Sequence, residues 1–247
     1  MTTRYRLGFL LCDRATAAIA ARFRNYADMY EHAFRQLPCV MDWVTYDVTA
    51  GEVPANAHAC DGYLISGSRH SAYDSLPWIA ALIAFVRVLS TSDRPTVGLC
   101  FGHQILGYAL GGRVARAPQG WGLGIGECHT LIETAWMRPP RPQFAVPICH
   151  QDHVLELPVA AQRLARSDHC ENFIVLFAGH LLGIQGHPEF ERAFLAALID
   201  DRRAQLPPEV SAAAAVTLTR PDDSRVLKHW IADFLQIPLQ ATAEASP

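Results

Sequence analysis

The residue best placed for chemistry is Cys100, which follows an apolar, β-branched run and precedes a helical pattern that begins at Ile105. Gly98 and Gly102 stand two positions before and after it, and glycines allow a tight, strained turn with backbone passing close by. Backbone N–H groups and the positive end of the helix dipole would then point at the sulfur and favour thiolate over thiol. The pattern predicts a nucleophilic cysteine; the alternative is a buried cysteine in an ordinary strand-to-helix turn.

A nucleophilic cysteine needs a general base, and the base needs an acceptor that orients it. His187-Pro188-Glu189, just past a predicted strand, offers both groups. Residues two apart in an extended or turn segment point to the same side, so His187 and Glu189 are expected to converge. Because reacting groups collect beyond the carboxyl ends of strands in open α/β sheets, His187 is expected to meet Cys100 there. A surface His-Pro-Glu turn is the alternative.

An acyl-transfer site also needs hydrogen-bond donors for the oxyanion of a tetrahedral intermediate. The N–H of Phe101, one residue after the candidate nucleophile, is the first predicted donor. The second is the N–H of Gly67 or Ser68, which follow a strand expected to lie beside the strand before Cys100. An ordinary small-polar turn is the alternative at these two residues.

Strands and helices alternate through the first half of the chain, which predicts βαβ units and a mostly parallel sheet flanked by helices. From residue 111 onward, glycine-rich turns separate short β-like runs, which favours a smaller antiparallel segment. Helices are predicted to return near the end, where Asp222 and Asp223 are candidate caps. Residues 239–247 lack periodicity and are predicted to be a disordered tail, so one α/β domain is expected over residues 1–238. The predicted strands of the first half are 5–12, 40–48, 62–66 and 96–99, and the predicted helices include 15–37, 78–89, 189–206 and 222–235.

Composition excludes several classes of protein. The 247 residues carry a net charge of −3, and their Lys and Arg are scattered, so no nucleic-acid partner is expected. No apolar run reaches membrane-spanning length, so no membrane partner is expected. The seven cysteines are odd in number and include no C-x-x-C pair, which indicates reduced thiols in a cytoplasmic protein. No cofactor is predicted.

Three separated motifs resemble the class I glutamine amidotransferase family, and they occur in that family's order. The resemblance spans residues 5–206 and implies a flavodoxin-like α/β domain that hydrolyses through a γ-glutamyl thioester. The motifs are Gly98-Leu99-Cys100-Phe101-Gly102-His103-Gln104, His187-Pro188-Glu189 and Ser66-Gly67-Ser68.

The resemblance assigns a role to each matching position. It implies a catalytic triad in which Cys100 is the nucleophile, His187 the base and Glu189 the group that orients the base. It further implies that the backbone N–H groups of Gly67 and Phe101 bind the oxyanion. Gln104, in the same motif as Cys100, is implied to lie against the α-amino-acid end of the substrate.

A further run, Cys149-His150-Gln151-Asp152-His153, resembles the substrate-holding segment that amidotransferase domains of GMP synthetases write Ser-His-Gly-Asp. It implies that His150, Gln151 and Asp152 bind substrate. Gln151 replaces the family's glycine, which predicts a different backbone recognition of the substrate at this position. Metal binding by His150 and His153 is an alternative, but His-x-x-His without a third nearby ligand is a weak pattern, and no metal site is predicted. Together, the runs Ser66-Gly67-Ser68-Arg69-His70 and His150-Gln151-Asp152-His153 are most similar to stand-alone members, among them bacterial GMP-synthetase-like amidotransferases and plant γ-glutamyl peptidases.

Three functions compete. The favoured one is a glutamine amidotransferase that passes ammonia to a separate synthase, since the sequence carries neither a Ser-Gly-Gly-x-Asp-Ser loop nor a Walker-type phosphate loop. The alternative is a free-standing hydrolase of γ-glutamyl peptides with water as acceptor. The third is a non-catalytic redox sensor that uses Cys100, and the sequence disfavours it because a sensor needs neither Glu189 nor an oxyanion hole.

Overall fold

Eleven β-strands and seven α-helices run through residues 4–37 and 39–238, the part of the chain described by the computed structural model. The predicted tail at 239–247 lies outside the described residues. The strands are β1 (Tyr5–Leu11), β2 (Met41–Asp47), β3 (Gly62–Ile65), β4 (Thr96–Leu99), β5 (Arg113–Arg116), β6 (Gly122–Thr130), β7 (Gln143–His150), β8 (Asp152–Glu156), β9 (Gln162–Ser167), β10 (Ile174–Leu176) and β11 (Leu181–Ile184). The helices are α1 (Ala17–Ala20), α2 (Tyr26–Arg35), α3 (Pro77–Ser90), α4 (Phe101–Ala109), α5 (Arg192–Arg202), α6 (Pro208–Thr217) and α7 (Ser224–Phe234).

Nine strands form one mixed sheet in the order β2-β1-β3-β4-β11-β10-β9-β6-β7. Neighbours are parallel from β2 to β11 and antiparallel from β11 to β7. This arrangement confirms the predicted α/β fold with a parallel sheet and an antiparallel segment in the second half. Strands β5 and β8, which the sequence pattern did not predict, pair with each other in a separate antiparallel ribbon.

The strand order brings three carboxyl ends together. Strand β4 pairs in parallel with β3 on one side, where Ile65 lies opposite Gly98. On its other side it pairs with β11, where Ile184 lies opposite Leu99. The segments that leave β3, β4 and β11 are therefore neighbours, and they carry the three sequence motifs.

Buried apolar residues lie on both faces of the sheet. One cluster packs α2, α5 and α7 against one face and includes Phe9, Phe194 and Trp230. The other packs α3 and α4 against the opposite face and includes Tyr63 and Phe101. Within the described residues, no helix is both long and apolar enough to span a bilayer.

The predicted helix over 15–37 is two helices. The chain leaves the helical conformation after α1, and Asn25 starts α2 with an extended backbone and a side chain that accepts a hydrogen bond from the Asp28 N–H. An asparagine in that position is a strong helix N-cap, so it interrupts an apolar spacing that by itself reads as continuous.

The C-terminal third also departs from the prediction. Helix α5 begins at Arg192, later than predicted, and α6 was not predicted. Pro208 occupies its favoured place in the first turn of that helix. The two candidate caps of α7 have different hydrogen-bond partners. Asp222 accepts from the Ser224 N–H at 3.1 Å, whereas Asp223 accepts from the Ala145 N–H of β7 at 2.9 Å.

Candidate active site

Cys100 lies at the corner between β4 and α4 with a left-handed backbone, at φ 51° and ψ −100°. This conformation is strained for a non-glycine residue, and such strain concentrates at functional sites. The flanking glycines make it possible: a Cβ on Gly98 would lie 2.4 Å from the backbone of Gly102. A Cβ on Gly102 would lie 2.5 Å from the Ile65 carbonyl oxygen of β3. The predicted corner is therefore present.

The sulfur of Cys100 is buried among polar groups from neighbouring strands. The Gln185 side chain, directly after β11, donates to Sγ from Nε2 at 3.6 Å. On the other side, Sγ lies 3.9 Å from the Cys149 carbonyl oxygen. Gln185 is fully buried, and the sequence analysis gave it no role. A donor aimed at the sulfur stabilises negative charge there.

His187 and Glu189 converge as predicted. The Nδ1 atom of His187 lies 2.6 Å from Glu189 Oε1, and the two side chains are 5% and 0% exposed. The backbone N–H of His187 donates to the Pro147 carbonyl at 2.8 Å, and its ring stacks on Phe190 at 4.0 Å between centroids. The imidazole is thus fixed in orientation from three directions.

The surroundings of His187 favour its protonated form. Burial alone lowers its pKa, but the negative charge of Glu189, followed by that of Cys100, outweighs burial and holds the pKa of His187 well above its usual value. His187 and Cys100 line one small cavity of about 20 Å³, which Gly67 and Ser68 also border. An imidazolium and a cysteine sulfur that share a buried cavity suit nucleophilic attack followed by proton transfer to a leaving group.

The two predicted oxyanion donors differ in availability. Phe101 is the first residue of α4, where a backbone N–H has no partner within the helix. The Gly67 N–H donates to the Tyr30 hydroxyl at 2.9 Å. Burial, followed by the charge of Glu189, raises the pKa of Tyr30, which keeps the hydroxyl protonated. The sequence pattern placed Tyr30 only within the predicted helix over 15–37, so its contact with Gly67 was missed.

The residues with implied substrate roles border a second cavity next to Cys100, of about 110 Å³. Gln104 donates from Nε2 to the Asp152 carbonyl at 2.8 Å. The carboxylate of Asp152 accepts from the Ser71 and Tyr73 hydroxyls, at 2.5 and 3.3 Å. Gln104 and Asp152 therefore hold the cavity wall together. The residues with implied substrate roles in this cavity are Gln104, His150, Gln151 and Asp152.

Three arginines to which the sequence assigned no role border the same cavity: Arg69, Arg116 and Arg202. Arg202 donates to Cys149 Sγ at 3.1 Å. Arg69 pairs with Asp13 at 2.9 Å. Guanidinium groups around a cavity favour ligands with carboxylates. No motif contained Arg116 or Arg202. Arg69 directly follows the motif Ser66-Gly67-Ser68, but the sequence analysis assigned it no role.

A larger cavity of about 600 Å³ lies on the other side of Phe190, between α2, α5 and α7. It is bordered by Glu189 and Lys228 but not by Cys100 or His187. The smaller cavities hold the reactive groups, so the candidate site is placed there.

Within the described residues, one group of three side chains could hold a metal ion: His150, His153 and His169. The third ligand that the sequence pattern lacked comes from the loop after β9.

Comparison with known families gives one match across most of the chain. A family model described as glutamine amidotransferase class-I matches residues 23–194. That range contains every residue of the three motifs, including Cys100 and Glu189.

Two curated relatives and one solved structure are similar to this chain. Gamma-glutamyl peptidase 5 of Arabidopsis thaliana is 38% identical over 168 residues, which cover 64% of this chain and 66% of that relative, just under two thirds of its length. The glutamine-hydrolyzing GMP synthase of Aeropyrum pernix is 34% identical over 168 residues, covering 67% of this chain and 31% of that enzyme. The crystal structure of a glutamine amidotransferase from Thermotoga maritima superposes with a TM-score of 0.74 at 17% identity, covering 95% of this chain and 99% of that chain.

Proposed function

The chain belongs to the class I glutamine amidotransferase family, and on that premise we propose that it is a cysteine-dependent hydrolase of γ-glutamyl amide bonds. Cys100 is the proposed nucleophile, His187 the general acid and base, and Glu189 the carboxylate that positions His187. The observation that carries this proposal is the buried 2.6 Å contact between His187 and Glu189, beside a cysteine on a strained strand-to-helix corner.

In the proposed reaction, Cys100 Sγ attacks the γ-carbonyl carbon of the substrate and forms a tetrahedral oxyanion. The C–N bond then breaks, and His187 donates its proton to the leaving nitrogen. This leaves a γ-glutamyl thioester on Cys100. Water attacks the thioester with His187 as the base, which releases glutamate and restores the starting protonation state.

The oxyanion is proposed to bind at the N-terminus of α4. The Phe101 N–H points there without a helical partner, and the helix dipole adds a favourable partial charge. Gly67 is the proposed second donor, and it serves as one once its N–H exchanges the Tyr30 hydroxyl for the oxyanion. When no oxyanion is present, the Tyr30 hydroxyl accepts the hydrogen bond from the Gly67 N–H.

Substrate binding is proposed in the 110 Å³ cavity bordered by Cys100. His150 and Gln151 face it from the segment that Gln104 ties to α4, and Asp152 anchors that segment. The arginines at the rim, Arg202 first among them, supply positive charge for the carboxylates of a γ-glutamyl compound.

We propose γ-glutamyl peptides as the first substrate class, which reverses the order that the sequence alone favoured. The relative named as a gamma-glutamyl peptidase is matched over 66% of its length, against 31% for the GMP synthase. The chemistry agrees, because a γ-glutamyl peptide carries a second carboxylate that glutamine lacks, and the cavity is bordered by three arginines.

Glutamine hydrolysis with transfer of ammonia to a separate synthase is the second candidate. Its support is the similarity to the glutamine-hydrolyzing GMP synthase, an enzyme of which this chain matches 31%. Both candidates use the same acyl-transfer chemistry and differ in the leaving group and its acceptor.

A single domain over residues 1–238 and a cytoplasmic location belong to the same proposal. One sheet contains β1 and β11, and α2 and α7 pack in one core, which supports a single folding unit. All seven cysteines are free thiols, which supports a reducing compartment.

Release of glutamate by the purified protein alone, from glutamine, γ-glutamyl dipeptides and glutathione, tests the proposal. Dipeptide cleavage with a kcat/KM at least ten-fold above that for glutamine is the expected result. Slow glutamine hydrolysis that accelerates on addition of cell extract selects the second candidate. No release from any of these substrates by folded protein contradicts both.

A further inference from the structure

Three histidines from different segments meet behind the candidate substrate cavity. His150 ends β7, His153 lies in β8, and His169 follows β9. One ring nitrogen of each lies within 4.8 Å of one from each of the others. The ring centroids are 4.9, 5.2 and 5.6 Å apart, so the three imidazoles surround a common point.

The hydrogen bonds within the described residues leave part of this cluster unsatisfied. His150 Nδ1 and His153 Nε2 lie 3.1 Å apart and share one hydrogen bond. The Nε2 atoms of His150 and His169 are buried without a hydrogen-bond partner among the described residues. Buried polar atoms are normally satisfied, so an unpaired ring nitrogen here needs a ligand.

His150 and His153 are each 3% exposed, so the cluster is shielded from water. A histidine ring nitrogen that carries no proton binds a metal ion through its lone pair.

We propose that His150, His153 and His169 bind one divalent transition-metal ion of the zinc type, with water as the fourth ligand. Zinc–nitrogen bonds of about 2.0–2.1 Å in a tetrahedral site place two ligand nitrogens roughly 3.3 Å apart. The candidate ligand nitrogens lie within 4.8 Å of one another, so small ring movements bring them to that spacing. Imidazole ligands select zinc, nickel or copper over magnesium and calcium.

The backbone beside the cluster is shaped to admit the rings. A Cβ on Gly122 of β6 would lie 2.7 Å from His169 Cδ2 and 2.9 Å from His150 Nε2. An ion bound there would join β7, β8 and the loop after β9, and so fix the segment that holds Gln151 and Asp152 against the substrate cavity. The site goes beyond the proposed hydrolysis, which uses no metal.

Zinc titration of the Cys100→Ser protein tests this site without interference from the candidate nucleophile, whose thiolate also binds zinc. The protein is stripped with a chelator, titrated by calorimetry, and its bound metal counted by mass spectrometry. One zinc per chain at micromolar concentration is expected. His153→Gln and His169→Gln, each in the Cys100→Ser background, should raise the Kd at least ten-fold. His58→Gln, on a side chain 63% exposed, is the matched control and should leave it unchanged.

Two results overturn the site: zinc bound only at millimolar concentration, or affinity unchanged in both His153→Gln and His169→Gln. Should either variant fail to fold, cobalt absorption of the Cys100→Ser protein decides. Bands of a tetrahedral ion with nitrogen and oxygen ligands alone support the site, whereas a thiolate charge-transfer band places the ion on a cysteine and contradicts it. The test uses no substrate, so its outcome is independent of the proposed function.

Discussion

The Nδ1 atom of His187 lies 2.6 Å from Oε1 of Glu189, and the intervening Pro188 turns both side chains to the same side of the chain. With Nδ1 engaged, Nε2 is the ring nitrogen left for Cys100. Helix α5 begins only at Arg192, so Glu189 precedes its first turn and is not placed there as a charge on the helix dipole. The position of Glu189 is explained by its contact with the imidazole.

Glu189→Gln is expected to lower kcat by about ten- to a thousand-fold and to leave KM nearly unchanged. The amide keeps the size of the carboxylate but does not stabilise the protonated ring of His187, and it favours the wrong tautomer of the neutral ring. His187→Ala should lower kcat further, because it removes the base itself. Steady-state kinetics measure both variants, and a thermal melt confirms that each is folded. An unchanged kcat in Glu189→Gln would remove Glu189 from the catalytic group.

The same contact predicts how stability depends on pH. The pKa of His187 in the folded protein lies above its unfolded value of about 6.5, so the stabilisation from Glu189 is complete below that pH. It is lost as the pH rises through the folded pKa. The difference in unfolding free energy between the wild type and Glu189→Gln should therefore be largest at acidic pH and shrink at alkaline pH. Urea denaturation across that range measures it, and a difference that grows with pH would contradict the charge assignment.

Cys100 should be alkylated before the other six cysteines at neutral pH. Burial raises the pKa of each of the other six thiols, that of Cys170 to about 12. Cys100 instead lies at the N-terminus of α4 and shares a small cavity with His187, which are the surroundings of an activated nucleophile. Peptide mapping after limiting iodoacetamide is the measurement. Cys39, half-buried and therefore the natural competitor, becomes the main product if the assignment is wrong.

Arg202→Ala should raise the KM for γ-glutamyl peptides by roughly ten- to a hundred-fold, the effect of losing one charge-assisted hydrogen bond. The next residue provides the control, because Arg203 is exposed and pairs with Asp200 at 2.6 Å. Arg203→Ala should leave KM unchanged. Equal KM values for the two variants would show that Arg202 does not contact substrate.

Sequence patterns sufficed for features that depend on local spacing. The corner at Cys100 follows from glycines two residues to either side, and the convergence of His187 with Glu189 follows from the short turn through Pro188. The α/β fold follows from the alternation of strands and helices. Each of these signals lies within a few consecutive residues, where backbone geometry determines which groups meet.

Contacts between distant segments could not be predicted from the sequence. His169 joins His150 only because β9 and β7 both flank β6 in the sheet, an order that no spacing in the chain encodes. In the sequence, Tyr30 is part of the predicted helix over 15–37. Only the fold brings its hydroxyl to Gly67, which lies in a separate segment. The division of the first helix was missed for a local reason, since the capping side chain of Asn25 overrides an uninterrupted apolar spacing.

The central claim is that Cys100 carries the γ-glutamyl group during turnover, and hydroxylamine trapping tests it most directly. Hydroxylamine attacks a thioester and diverts the product from glutamate to γ-glutamyl hydroxamate. The wild type and Cys39→Ser should form hydroxamate from a γ-glutamyl dipeptide, and brief quenching should place the γ-glutamyl mass on the peptide that contains Cys100. The Cys100→Ser variant, once a thermal melt has shown that it is folded, should form neither hydroxamate nor glutamate. Formation of either product by Cys100→Ser at a rate near that of the wild type would contradict the account.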